Sequence, residues 1–160
     1  MIARFIRNSF GTAAAEFALT LPMMLALLFG AMEAGHFFWT QHKIVKSVRD
    51  GARFASRLDV TRLCANDAAL LTEIRNVTAT GQLVTGGTPK VPGWQPANVN
   101  VAVSCGSFVD TGIYSDLGER GPLVTVSSGA VRYPSILGGL GYIDSSINLS
   151  ARSSAAVVGI

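Results

Sequence analysis

A long run of apolar residues dominates the first quarter of the chain. Between Glu16 and Glu33 no residue is charged, and Thr20 is the single polar side chain of that interval. The stretch from Thr12 to Trp39 would be about 42 Å long as an α-helix, at ~1.5 Å per residue, and the hydrocarbon core of a bilayer is about 30 Å thick. The pattern therefore predicts a transmembrane helix over residues 12–40.

The helical pattern continues beyond the apolar run. Apolar residues recur every three or four positions over residues 41–63, and no proline interrupts this segment. We expect one helix that leaves the membrane as a stalk, with a first break near residues 58–61. Pro22 is expected to kink it or unwind it locally inside the membrane, and Gly51 to cost roughly 1 kcal/mol relative to alanine.

The remaining residues, 64–160, predict a small domain. A short second helix is expected over residues 66–80, and the glycine- and proline-rich residues 81–96 read as a loop. Three strand-like segments follow, at residues 98–104, 123–133 (with a bulge at Gly129) and 147–158. The predicted fold class is α+β, in which a long N-terminal transmembrane and stalk helix precedes a small antiparallel sheet that packs on helix.

The charge balance does not favour a nucleic-acid ligand. The chain has 13 Lys and Arg, 10 Asp and Glu and a formal charge of +3, with 14% charged residues. Arg4 and Arg7 lie in what looks like a short basic leader, residues 1–11. Its removal would leave 11 basic side chains against 10 acidic ones. A nearly neutral chain does not attract phosphates through its overall field.

Cys64 and Cys105 are the two cysteines of the chain, and both lie outside the apolar run. Such a pair in a small extracytoplasmic domain favours a disulfide, worth about 2–4 kcal/mol, over two free thiols. The sequence contains no CxxC pair, and His36 and His42 are six positions apart. We therefore predict a structural bridge between helix and sheet, and no metal site.

Two other interpretations of the apolar segment are weaker. A buried helix of a soluble protein would need more chain around it than 160 residues provide. A secretory signal peptide would carry small residues after its apolar region, whereas Ala13–Ala15 precede it. The orientation is less simple, because basic residues from Lys43 to Arg57 favour a cytoplasmic C-terminal flank. The cysteines and the leader favour the opposite, and we expect the domain outside the cytoplasm.

Catalytic chemistry has little support in the sequence. His36 lies in the predicted membrane helix and His42 just beyond it, so neither is placed to serve the outer domain as a base. No nucleophile elbow, P-loop or zinc-protease motif occurs. The acidic residues of the outer domain sit in glycine-rich, turn-like stretches: Asp110, Asp116, Glu119 and Asp144. We expect no enzyme activity, no cofactor and no small-molecule substrate.

The N-terminal motifs resemble those of TadE-like proteins, the pseudopilins of Tad (tight adherence, Flp-type) pili. The resemblance rests on three segments: residues 7–22, with Gly11, four small residues and then Glu16-Phe17; residues 30–35, Gly-Ala-Met-Glu-Ala-Gly; and residues 48–55, Val-Arg-Asp-Gly-Ala-Arg-Phe-Ala. The specific motifs cover residues 7–57, and beyond them only the general pattern is similar.

The resemblance implies processing by a prepilin peptidase. The enzyme would cut after Gly11 on the cytoplasmic side and leave Thr12 as a new N-terminal ammonium. Glu16, followed by Phe17, would neutralise that ammonium on its own chain or on a neighbour and so set the register of helix packing. The alternative for Glu16 is a carboxylate that snorkels to the membrane surface without any role in register.

The resemblance also implies partners and a location. The partners would be other pilins or pseudopilins, the Tad assembly machinery, the peptidase and inner-membrane lipid. The protein would cross the bacterial inner membrane once, with its C-terminal domain in the periplasm, and could enter an extracellular pilus. Its outer domain favours a minor pilin that initiates, caps or supports the fibre. The alternatives are an uncleaved TadE-like scaffold for assembly or secretion and a membrane-tethered periplasmic binding module.

Overall fold

A computed structural model of the protein describes residues 9–105, 122–141 and 146–158. The helices are α1 (Ser9–Ala55), α2 (Val60–Cys64) and α3 (Ala68–Thr80). The strands are β1 (Asn100–Ser104), β2 (Leu123–Ser127), β3 (Val131–Arg132), β4 (Asn148–Leu149) and β5 (Arg152–Ala156). Two short 3-10 turns lie at Pro96–Asn98 and Leu137–Leu140. The α+β class is confirmed: a long N-terminal helix is followed by a small antiparallel sheet.

Helix α1 has two halves with different surroundings. Residues 11–32 are all exposed, and the buried positions begin at Glu33. In the second half, Ile44, Val48, Ala52 and Ala55 are at most 1% exposed and recur at helical spacing. They form one core with residues of α3 and of the sheet. The helix is therefore part of the domain's hydrophobic core.

The first half of α1 stays helical through Pro22. Of the two effects predicted at that residue, a kink or a local unwinding, the unwinding does not occur. Because proline has no N–H, one backbone hydrogen bond is missing at this turn, but the residues on both sides of Pro22 remain helical. The helix ends at Ala55, close to the predicted break, and Asp59 caps α2 by accepting from the Arg62 N–H at 2.8 Å.

Helices α1 and α3 approach closely at Gly51. A Cβ at this position would overlap the Thr78 side chain, whose hydroxyl is fully buried and donates to the Ile74 carbonyl at 2.7 Å. Glycine thus lets the two backbones come together. Its helix-propensity cost is offset by this packing.

The main sheet has the strand order β1-β2-β5, and both pairs are antiparallel. Val124 and Val126 of β2 are fully buried and face α1, while alternate residues face outward. Strands β3 and β4 form a separate antiparallel pair, with Val131 opposite Leu149. The helix packs against β2 and β5, so it covers one face of the main sheet.

The second and third strand-like segments are each divided into two strands. The predicted bulge at Gly129 is instead a corner between β2 and β3, where Gly129 has φ +64° and a Cβ would meet the Asn98 carbonyl. Ser128 holds this corner: its N–H donates to the Ala151 carbonyl, and its hydroxyl accepts from the Ala151 N–H, each at 3.0 Å. The buried Trp94 indole donates to the Ser128 carbonyl at 3.2 Å.

Candidate functional site

The exposed half of α1 is the first part of the candidate site. Leu19 and Leu27 are 77% and 72% exposed, and α1 contains an 18-residue window of mean hydropathy 1.7 with none of its residues buried. Residues 11–32 extend about 33 Å, close to the ~30 Å of a hydrocarbon core. An apolar surface of this size is not stable in water, which indicates a lipid or protein environment.

The predicted processing residues lie at the start of this exposed half. Gly11 and Thr12 are inside α1, and among the described residues no atom outside the adjoining helix lies within 4 Å of a Cβ built at Gly11. Glu16 follows Thr12 by four positions, so both side chains occupy one face, one turn apart. Phe17, 60% exposed, points to a neighbouring face. Gly11, Thr12, Glu16 and Phe17 therefore lie within two turns of α1, and all four are exposed and accessible to another helix.

The leader and several acidic residues have no structural description. Residues 1–8, with Arg4 and Arg7, lie outside the described residues, and so do Asp110, Asp116, Glu119 and Asp144. Among the residues that are described, no group of three or more His, Cys, Asp and Glu side chains is placed to hold a metal ion.

The second part of the site is the junction, where the domain first contacts α1. Glu33 is 8% exposed, and its Oε2 accepts from the Leu137 N–H at 3.2 Å. The Tyr133 hydroxyl donates to the Glu33 carbonyl at 3.1 Å and lies 3.0 Å from His36 Nδ1. A hydroxyl has one proton, so both contacts are satisfied when His36 Nδ1 is the donor.

Tyr133 is held in this junction by packing as well as by hydrogen bonds. Its ring meets Phe37 edge-on, with 5.3 Å between centroids, and it is 2% exposed. Burial, reinforced by the nearby Glu33 carboxylate, raises the pKa of the Tyr133 hydroxyl to about 12. The phenol therefore stays neutral and keeps its proton for the Glu33 carbonyl over the physiological range.

A disulfide fastens the other end of the domain. Cys64, the last residue of α2, is bonded to Cys105, directly after β1, with 5.9 Å between their Cα atoms. This is the helix-to-sheet bridge predicted from the sequence. The bridge joins two residues 41 positions apart and encloses α3, and such a closure stabilises by about 2–4 kcal/mol.

The sequence did not identify the junction residues. Glu33 was noted as the end of the apolar run and as part of the motif at residues 30–35, but not as a junction residue. Tyr133 carried no signal, because the two residues are 100 positions apart. The sequence did contain one indication of the junction. A carboxylate placed between an apolar run and a stalk must be either solvated or paired, and here it is buried, with Oε2 accepting from the Leu137 N–H while Oε1 has no hydrogen-bond partner among the described residues.

Fold and site together define a class of protein. Within the described residues, one helix is long and apolar enough to cross a membrane, and this helix continues without a break into the core of a small α+β domain. The family model described as TadE-like protein matches residues 11–53. The match confirms the resemblance seen in the N-terminal motifs and indicates a protein associated with Tad pili. No match was found among curated proteins or solved structures.

The matched segment coincides with α1. It begins at Gly11, where the exposed half of the helix starts, and stops two residues before the helix ends at Ala55. It includes Glu16, Glu33 and Gly51. The β-rich part of the chain lies outside it.

Proposed function

We propose that the protein is a minor pilin, or pseudopilin, of a Tad/Flp-type pilus system. In this proposal a prepilin peptidase cuts after Gly11, and the chain packs through the exposed half of α1 against other pilin helices. The domain stays on the periplasmic side of the bacterial inner membrane, where the subunit initiates, caps or supports the fibre. No catalysis is involved.

The observation that carries this proposal is the continuity of α1. A tether for a binding module needs only to reach the membrane, and a flexible linker would serve. Here the same helix supplies an exposed apolar half and, from Glu33 on, core residues of the domain. Any rotation or shift of the helix among its neighbours is therefore transmitted to the domain, as a fibre subunit requires.

In this proposal the segment of α1 that faces lipid is also shorter than the sequence predicted. We propose that lipid or neighbouring helices surround residues 12–32, a shorter stretch than the predicted 12–40. From Glu33 onward α1 contacts its own domain. Residues 12–32 span about 32 Å, which still matches the ~30 Å hydrocarbon core.

Within residues 12–32, we propose that Glu16 sets the register in which α1 packs against neighbouring helices. It is the sole charged side chain between residues 12 and 32. A carboxylate in hydrocarbon costs roughly 2.5–3.5 kcal/mol on insertion scales, and a paired ammonium offsets much of that cost. Since Thr12 is one turn away, a new N-terminus there can reach Glu16 on its own chain or on an adjacent helix.

Substitution of Glu16 tests the proposal. Glu16→Gln should allow membrane insertion but abolish or strongly reduce pilus assembly, because the register contact loses its charge. Glu16→Asp, which keeps the charge, is the matched control and should retain partial assembly. Fibres are counted by electron microscopy and subunit levels by immunoblotting of membranes. Normal assembly with Glu16→Gln would favour the uncleaved scaffold or the tethered module instead.

A further inference from the structure

The last part of the chain runs along α1 toward the exposed half of that helix. Three hydrogen bonds mark its course: the Val158 N–H donates to the Ser56 carbonyl at 2.9 Å, Gln41 Nε2 donates to the Ser150 carbonyl at 3.1 Å, and the Leu137 N–H donates to Glu33 Oε2 at 3.2 Å. Along α1 these contacts extend over about 35 Å, at ~1.5 Å per residue. The connection between β3 and β4 therefore lies at the end of the domain nearest the exposed half of α1.

This connection includes a segment, residues 134–141, that we call the hairpin tip. Its Leu137 N–H is bonded to Glu33, which directly follows Met32. Helical side chains lean toward the N-terminus, so the Glu33 carboxylate lies no farther along α1 than its own Cα. The Cα of Ile136 is within about 6 Å of that carboxylate oxygen. Ile136 is therefore at most about 8 Å past Met32, and the headgroup layer is about 5–8 Å deep.

The hairpin tip offers a membrane an apolar surface that carries no charge. Between Arg132 and Asp144 no residue is charged. Ile136, next to the N–H that bonds to Glu33, is 46% exposed. Transfer of this side chain from water to the acyl boundary is favourable, and no charged group of the tip has to lose its hydration at the same time.

The backbone of the hairpin tip is also suited to a position beside lipid, where every unpaired N–H is costly. Several of its N–H groups have acceptors: those of Ser135, Leu137, Gly138 and Gly141. These acceptors lie within the tip, at Tyr133 directly before it, and on Glu33. Pro134 has no N–H to satisfy. The Glu33 carboxylate is itself covered, since the residue is only 8% exposed, so its charge does not face the lipid.

We propose that the hairpin tip is a second membrane contact of the protein, in which Ile136 enters the boundary between headgroups and acyl chains beside α1. The partner is the lipid surface itself, with no particular headgroup. The tip and the exposed half of α1 then form one continuous surface in the bilayer. The proposal rests on the part of the proposed function that places residues 12–32 in lipid. It requires neither cleavage after Gly11 nor entry into a fibre.

Spin labels measure whether the hairpin tip lies in lipid. Full-length chains with Ile136→Cys, Leu19→Cys or Val84→Cys are labelled with a nitroxide under non-reducing conditions, in which Cys64 and Cys105 stay bonded to each other. Each chain is reconstituted at low density in phosphatidylcholine vesicles, and thermal unfolding checks that it is folded. Electron paramagnetic resonance compares collisions of the label with oxygen, which concentrates in lipid, and with a nickel chelate dissolved on both sides of the vesicles.

Leu19 and Val84 provide the two reference values. Leu19, 77% exposed in the apolar half of α1, should give a high ratio of oxygen to nickel collisions. Val84, 68% exposed, is the apolar control in the loop after α3. That loop is bonded to Asn76, close to the contact of α3 with Gly51, about 28 Å beyond the exposed half. We expect the ratio at Ile136 to lie between the two references and several-fold above that at Val84.

A second measurement uses the chain without any substitution. The vesicles contain phosphatidylcholine with a photoactivatable group near the glycerol end of its acyl chain, and mass spectrometry identifies the cross-linked peptides. Cross-links are expected on residues 12–32 and on the hairpin tip, but not on residues 81–87. This result does not depend on the folding of a labelled variant.

Three results would overturn the proposal. In the first, Ile136 gives the ratio of Val84 while Leu19 gives a lipid-like ratio, so that α1 lies in lipid and the tip in water. In the second, neither oxygen nor nickel reaches the label at Ile136, and a second copy or another protein covers the tip. In the third, the unmodified chain is cross-linked through α1 alone. A water-like ratio at Leu19 would instead contradict the proposed membrane helix, and the contact of the tip with it.

Discussion

At the residue scale, Tyr133 connects the two halves of the molecule. Its hydroxyl donates to the carbonyl of Glu33, the first buried residue of α1, and lies beside His36 of the next turn. The Glu33 carboxylate in turn accepts from the Leu137 N–H. These contacts fix the rotation of α1 relative to the domain at the level where the exposed half begins.

Replacement of Tyr133 by phenylalanine tests this connection. The variant keeps the ring packing and loses the hydrogen bonds, so its free energy of unfolding should fall by about 1–2 kcal/mol at neutral pH. The measurement is denaturant unfolding of the full chain in detergent. An unchanged free energy of unfolding in Tyr133→Phe would contradict the role given to the hydroxyl.

The raised pKa of Tyr133 gives the same variant a pH-dependent signature. The phenol titrates at about 12 in the folded chain, against 10.0 ordinarily. Its contribution to stability is therefore complete below pH 10 and is lost as the pH rises toward 12, because the unfolded chain gives up the proton first. Tyrosinate absorbance should show a step near pH 12 in wild type that is missing from Tyr133→Phe. A step that persists in the variant would belong to another tyrosine.

At the element scale, the sequence predicted where helices and strands lie more accurately than where one strand ends and the next begins. The charge-free run and the helical spacing after it located α1, and the alternating valines located β1. The second and third strand segments were each predicted as one strand. They are divided because Gly129 adopts a positive φ and Ser128 bonds across to Ala151. A glycine indicates that such a corner is allowed, but the partner that stabilises it lies 23 positions away.

The packing of α1 on α3 gives a second prediction. Gly51→Ala should reduce the free energy of unfolding by roughly 1–3 kcal/mol, because the added methyl would overlap Thr78 in a filled core. By helix propensity alone, the same change would stabilise by about 1 kcal/mol. Denaturant unfolding in detergent, followed by the fluorescence of the buried Trp94, measures the difference.

Two further variants distinguish the effect of close packing at Gly51 from the effect of helix propensity. Gly35 lies on the same helix with no atom within 4 Å of a built Cβ, so Gly35→Ala should be neutral or slightly stabilising. In a Thr78→Ala background, which removes the overlapping hydroxyl, Gly51→Ala should cost less than in wild type. A Gly51→Ala variant as stable as wild type would show that α3 does not pack against α1 at this position.

At the scale of the whole molecule, one helix belongs to two environments. Residues 11–32 present an apolar surface without domain contacts, and residues 33–55 carry buried positions that pack into the domain. The sequence predicted the membrane-length helix, the stalk and the disulfide, since each depends on local pattern or on a unique pair of residues. It could not predict where the domain first touches the helix. That point depends on Tyr133 and Leu137, which are distant in sequence and follow no repeating pattern.

The N-terminus of the protein isolated from its own membranes tests the central claim most directly. Intact mass and Edman degradation are applied to wild type and to Gly11→Ala, with Gly35→Ala as a control for glycine replacement within α1. A processed pilin subunit should begin at Thr12 in wild type and in the control, and the Gly11→Ala chain should remain uncut. A wild-type chain that retains Met1 would contradict processing and favour an uncleaved membrane scaffold, and a start beyond Gly30 would contradict the membrane helix itself.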